Sequence, residues 1–398
     1  MRVSLAGLTA LFVLAAACTP APAAPPAAAT KPPAPPTTAA AASPSPAASP
    51  SPGASPSPAA AASPVAAAKP AAPAPNFDEQ AVASFYRGKT LTIVVGYSPG
   101  GGYDEYARFL ARHIGRHIPG NPNVVVQNMP GAGSVLAANT LYNTSPKDGT
   151  VIATFARGLP AEELLNKEGV QYKSADFNWV GSMNEEVSVC IARADSPIKK
   201  FEDLHTTPLK IGGTGPGADT DFFPKFLNGL LGTQFDLATG YPGGNDVNVA
   251  IERGEVQGRC GFSWSSVVST RAQWLEEPKF ITVLVQMALK KHPDIPDVPL
   301  ILDLARTPEE RQLMEIVYSR QTIGRPFAAP PGVPADRVAA LRYAFDQTML
   351  DPQLVEEATR AKVELNAVGG EAIQGIIARL PETPPNIIAR LAELTKEE

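Results

Sequence analysis

TLTIVVGYSPGGGYD, residues 90–104, decides how the rest of the chain is read. Leu91 to Gly96 is an apolar, β-branched run of strand length. Ser98-Pro99-Gly100-Gly101-Gly102 then reads as a turn, with a helix from about Tyr103. A strand that ends in a glycine turn at a helix start leaves main-chain N–H groups unpaired and facing outward. The helix dipole adds a partial positive charge, so such a turn suits an anion. The device recurs. Pro130-Gly131-Ala132-Gly133 precedes an apolar helix, Pro216-Gly217-Ala218 follows the strand LKIGG, and Pro242-Gly243-Gly244 precedes a helix from Asn245. These turns are read as gathered around one small anionic ligand.

Strand and helix patterns alternate along the chain, which predicts an α/β fold with a mainly parallel sheet. The chain has 398 residues, and the first 76 stand apart from this pattern. Residues 1–17 carry Arg2, an apolar run from Leu5 and small residues before Cys18, the pattern of a secretory signal. Leu14-Ala15-Ala16-Ala17-Cys18 resembles a bacterial lipobox, which would leave Cys18 as a lipidated N-terminus. Residues 18–76 are almost all Ala, Pro, Ser and Thr; a segment with so little to bury is expected to be a disordered tether. Cys190 and Cys260 both fall in strand-like runs and read as buried thiols, with a single disulfide as the alternative.

The formal net charge of −5 argues against a nucleic-acid partner and means that an anion must be captured locally. His113 and His117 stand four apart on one helix, but no HExxH surrounds them, so they read as a solvated face and no metal is expected. Ser263 and Ser265 lack the G-x-S-x-G of a nucleophile elbow. GTGPGA fits a dinucleotide fingerprint poorly, because a proline fills a variable position and no acid ends a strand about 20 residues on.

Several blocks together resemble a known family. SPGGGYDEYAR, VQNMPGAGSVLAANTLYNTSPKDGT, VSVCIARADSPIKKFEDL, the YPGG…GEV segment and HPDIPDVP resemble, in order, the extracytoplasmic receptors of tripartite tricarboxylate transporters. The resemblance runs from about Phe85 to the C-terminus. It implies a two-lobed periplasmic-binding-protein fold (Venus flytrap, type II). Lobe one would comprise residues 85–186 and 288–398, and lobe two residues 187–287, with two crossing strands as hinge. It also implies a monomeric, non-catalytic receptor without a cofactor. Such a receptor would sit outside the cytoplasm and pass a small organic acid to a membrane permease of a large and a small subunit. A sensor for a membrane signalling protein, or an α/β nucleotide enzyme, are the competing readings. This chain departs from the common pattern at Tyr241-Pro242-Gly243-Gly244, where relatives often carry a lysine.

The candidate ligand residues follow from the turns. Ser98, Pro99, Gly100, Gly101 and Gly102 would offer main-chain donors, with Asp104 ordering their loop. Gly213, Thr214, Gly215, Gly217 and Ala218 would form the matching loop of lobe two. Arg157, after the third strand, is placed to pair with a carboxylate. Tyr241 would offer its hydroxyl and Trp264 would wall the cleft. Main-chain donors alone would supply most of the affinity, at about 1.5–3 kcal/mol for each bond to a charged group.

Overall fold

A computed structural model describes residues 75–396. The expected signal, Cys18 and nearly all of the tether lie outside the described residues. Eleven strands among the described residues form two sheets. β1 (Thr90–Val95), β2 (Asn123–Asn128), β3 (Val151–Thr154) and β4 (Asn178–Ser182) begin the first sheet. β5 (Ser188–Arg193), β6 (Leu209–Gly212), β7 (Phe235–Ala238), β8 (Gly258–Ser263) and β9 (Ile281–Met287) make the second. β10 (Pro326–Ala329) and β11 (Val368–Gly369) then return to the first. The orders are β11-β4-β10-β3-β1-β2 and β7-β6-β8-β5-β9.

β1 is apolar because both of its faces are covered, as in the parallel part of any α/β sheet. Its last residue, Val95, stands opposite Asn128 of β2 and Thr154 of β3. The three strands therefore end level, and the turns after them share one rim. The expectation of a mainly parallel sheet needs correction, because both sheets are mixed. β10 and β11 run against their neighbours in the first, and β5 runs against β8 and β9 in the second. β5 and β10 are the strands that the chain enters on passing from one sheet to the other.

One apolar core lies around the first sheet, with Ile93, Ile152, Trp179 and Phe345 fully buried in it. The second sheet is covered on both faces, by separate clusters around Phe223 and around Val247 and Trp274. The assignment of all of residues 288–398 to lobe one is corrected here. Ile301, Met314 and Tyr318, with Ile387, Leu391 and Leu394, pack on Phe223, Phe226 and Leu227 of the helix Asp219–Leu231. An amphipathic repeat announces that a helix has an apolar face, not which sheet receives it.

Two further expectations change. Cys190 and Cys260, on adjacent antiparallel strands, are joined as a disulfide rather than left as thiols. His113 is buried and bonded to Glu357 at 2.6 Å, and His117 to Asp351 at 2.9 Å, so neither belongs to a solvated face. The helix pair Ala335–Leu350 and Pro352–Ala361 covers that surface. No helix among the described residues is long and apolar enough to cross a membrane.

Candidate functional site

The rims of the two sheets face each other and touch. Ser98 N–H donates to Pro242 O at 3.2 Å, and Gly133 N–H to Thr214 O at 3.1 Å. Ser269 Oγ donates to Glu105 Oε2 at 2.7 Å, and Ser98 Oγ donates to Asp246. Each bond joins the first-sheet side to the second. The lobes are closed on one another, and a cavity of about 50 Å³ remains between them.

Of the residues read from sequence, Gly101, Gly102, Arg157, Thr214 and Ala218 line this cavity. Gly101 caps the helix Gly102–Ile114 with no side-chain bond to the first-turn N–H groups, which have no partner within the helix. Gly243 does the same for the helix Gly244–Glu252 on the other side, and Gly244 lines the cavity. Gly102 has no room for a Cβ, which would overlap Ser266 Oγ and crowd the Arg325 guanidinium.

The remaining candidates lie off the cavity. Ser98 is used in the contact between lobes, and Pro99 and Gly100 are exposed. Gly100 N–H donates to Asp104 at 2.9 Å, and Asp104 also accepts from Arg108 and Asn128. Asp104 thus orders the first loop from outside the cavity lining. Asp221 is its counterpart in the second loop, accepting from Gly215 N–H at 2.9 Å and from Thr239 Oγ1. Gly213 is glycine because a Cβ would strike Asp221, and Gly217 because one would strike Leu159. Tyr241 is half-buried against Gly212. Trp264 belongs to the core beneath the second sheet. In both glycine loops an aspartate spends its carboxylate on holding the loop's own shape.

Burial works to raise the Asp104 carboxyl, but Arg108, the Gly100 N–H and Asn128 outweigh it and hold its pKa below the ordinary value. A depressed carboxylate contributes stability that is complete above the unfolded pKa, about 3.9, and is lost as pH falls through the native value. Asp104→Asn is therefore expected to lower stability at neutral pH and to flatten its decline below about pH 4. Urea midpoints from pH 3 to 7 check this; parallel curves for both proteins would contradict it.

Sequence reasoning found one of the strong charges in the site, Arg157, and passed over the other two, Arg259 and Arg325. Arg157, Arg259 and Arg325 all line the cavity, and each is at least nine-tenths buried. Arg157 donates to Asp219 at 2.7 Å, to Gly324 O at 3.0 Å and to Ser188 Oγ at 2.8 Å. Burial alone would lower its pKa, but the Asp219 charge beside it raises it beyond the ordinary value. Arg325 lies 3.3 Å from Glu186, donates to Ser263 and Ser266, and sits over the Tyr103 ring. Arg259 donates to Gly244 O at 3.0 Å and to Asn248 Oδ1 at 3.1 Å, and lies 4.2 Å over the Phe262 ring. Burial, with Arg325, Arg271 and Arg157 nearby, pushes its pKa down to about 9. The signal for Arg259 was its place in GRCGFS, a strand buried at every position. Nothing local marks Arg325, which reaches the cavity only through the return of the chain to the first sheet.

His292, Asp294 and Glu364 also bring ligand atoms within 4.8 Å of one another. His292 cannot serve a metal as it stands, since its Nε2 is engaged with Glu364 at 2.7 Å and its Nδ1 accepts from Asp294 N–H at 3.1 Å.

Two α/β lobes closed over a polar cavity, with helix N-termini entering it from both sides, define a solute-binding receptor of the periplasmic-binding-protein type. The chain belongs to the tripartite tricarboxylate transporter family receptors, whose pattern matches residues 107–392. It is 28% identical over 279 residues to a UPF0065 protein from the tcbD-tcbE intergenic region of Pseudomonas sp., spanning 67% of this chain and 76% of that one. The periplasmic binding protein BugD shares the fold with a TM-score of 0.61 at 21% identity, covering 78% of this chain and 97% of BugD. MatC from Rhodopseudomonas palustris with bound malate shares it with a TM-score of 0.60 at 20% identity, covering 77% and 99%. The family is one of extracytoplasmic receptors, not enzymes.

Proposed function

We propose that this protein captures a small di- or tricarboxylate, or a related organic acid, between its lobes. It then presents the acid to a membrane permease of a large and a small subunit. In this reading it works as a monomer, held to the outer face of the cell membrane by a lipid on Cys18 and the Ala/Pro/Ser-rich tether. One observation carries the reading. Two helix N-termini without side-chain caps, one from each lobe, meet at a cavity between the lobes that is also lined by three arginines. Such a site rewards negative charge and has no acid free to repel it, since Asp219 is already paired with Arg157. Malate, held by the similar MatC, is an acid of this class.

A thermal-shift series with succinate, malate, citrate and their neutral amides tests the proposal. Saturation at a hundred times Kd stabilises the folded form by about 2.7 kcal/mol, a shift of several degrees. An acid should produce that shift and its full amide should not. Equal shifts from acid and amide, or none from any of the three acids at millimolar concentration, would refute it.

A further inference from the structure

We propose that Arg259 is the residue that recognises a second acid group on the ligand, so that this receptor selects doubly charged acids over singly charged ones. The inference rests on the reading of the cavity as an organic-acid site.

The charges around the cavity do not balance. Arg157 is matched by Asp219 and Arg325 by Glu186, whereas Arg259 has no carboxylate partner among the described residues. Its two hydrogen bonds both leave from Nη1 and end on neutral oxygens, Gly244 O and Asn248 Oδ1. Its Nε is sealed from solvent without a partner. A lone buried guanidinium is costly, and a carboxylate that docks on it removes that cost while making charge-assisted bonds. Burial brings the group down only to about 9, so it is a cation at neutral pH.

The surroundings keep that cation ready. Phe262 supports the guanidinium from one side, and a Cβ at position 244 would strike it. Arg259 stands on β8, in the second lobe, while Gly101 and Gly102 present main-chain donors from the first. A ligand with one acid group on the glycine turn and another on Arg259 ties the lobes together through its own length. A singly charged acid can satisfy only one of the two.

The test measures affinity by calorimetry for succinate, malate and citrate, and for the monoamide of succinate or malate, whichever of the two diacids binds more tightly. Wild type should prefer the full acid over its monoamide by about 10- to 150-fold, the range of one hydrogen-bonded charge pair. Arg259→Gln should bind the full acid that much more weakly and lose the preference. Arg259→Lys, which keeps a charge of different shape, should retain a reduced preference. An arginine that only supported the strand would weaken both ligands equally and leave their ratio unchanged. That outcome, or a wild type indifferent to the monoamide, overturns the proposal while leaving the organic-acid reading in place. Failure of all three acids to bind wild type defeats both. Should Arg259→Gln fail to fold, the wild-type ratio and the lysine variant still decide.

Discussion

Gly102→Leu is expected to abolish ligand capture while leaving each lobe folded. Gly102 is the first residue of its helix, a position any residue adopts, and leucine is the better helix former. The worst overlap is with Ser266 from the second lobe and so arises on closure, while Arg325, on the first-sheet side, would also be pressed. Overpacking of this kind costs about 1–3 kcal/mol or more in a core that can relax. Here the neighbours include a buried, ion-paired arginine, and the bonds that hold the lobes shut contribute only about 0.5–1.5 kcal/mol each. Affinity should therefore fall by more than about a hundredfold. Gly101→Ala is the matched control. A Cβ there would meet the main-chain N of Asn245 and Gly244 at 3.5 and 3.6 Å, ordinary contact distances. Calorimetry on both variants, with circular dichroism to confirm folding, separates them. If Gly102→Leu bound within a few-fold of wild type, closure around this turn would not be how the ligand is held.

This contrast also shows where sequence reading stops. The strand-turn-helix unit at residues 90–104 was legible because its period, its glycines and its helix start are all local. Which glycine approaches the opposite lobe was not, since Ser266 lies far along the chain and nothing near Gly102 points to it. The charges were hidden in the same way. A site built on uncharged main-chain donors is what glycine turns suggest by themselves, and those donors are present. Arg259 sits in a strand whose burial at every position emerges only in the fold, and Arg325 acquires its place only from the path of β10. Asp104 was read as ordering its loop, whereas its counterpart Asp221 was not singled out at all. Each turns its carboxylate back on its own loop, so the glycine turns keep their shape before any ligand arrives.

The same long-range logic makes Arg325 and Glu186 the pair whose loss should cost the fold most. Their side chains are each only 1% exposed and 3.3 Å apart. Glu186 lies in the passage from β4 to β5, and Arg325 immediately precedes β10, so the pair fastens two of the places where the chain crosses between lobes. The attachments continue outward. Glu186 N–H donates to Gln321 O, Arg325 N–H to Ser182 Oγ, and Ser265 Oγ to Glu186 at 2.6 Å. Removing one member of a buried pair leaves the other uncompensated, at a cost of about 3–5 kcal/mol. Glu186→Ala should reach the upper part of that range, because Arg325 would keep only hydroxyls and the Gly324 carbonyl as partners. Arg325→Met should cost less, because Glu186 would still accept from Val187 N–H, Ser265 and Asn184. The double variant should be less destabilised than the sum of the two, since neither charge is then stranded. Urea midpoints at constant m-value measure all three. Additive losses, or single losses below about 1 kcal/mol, would mean that these crossings are held by packing alone and that the pair is incidental to the hinge.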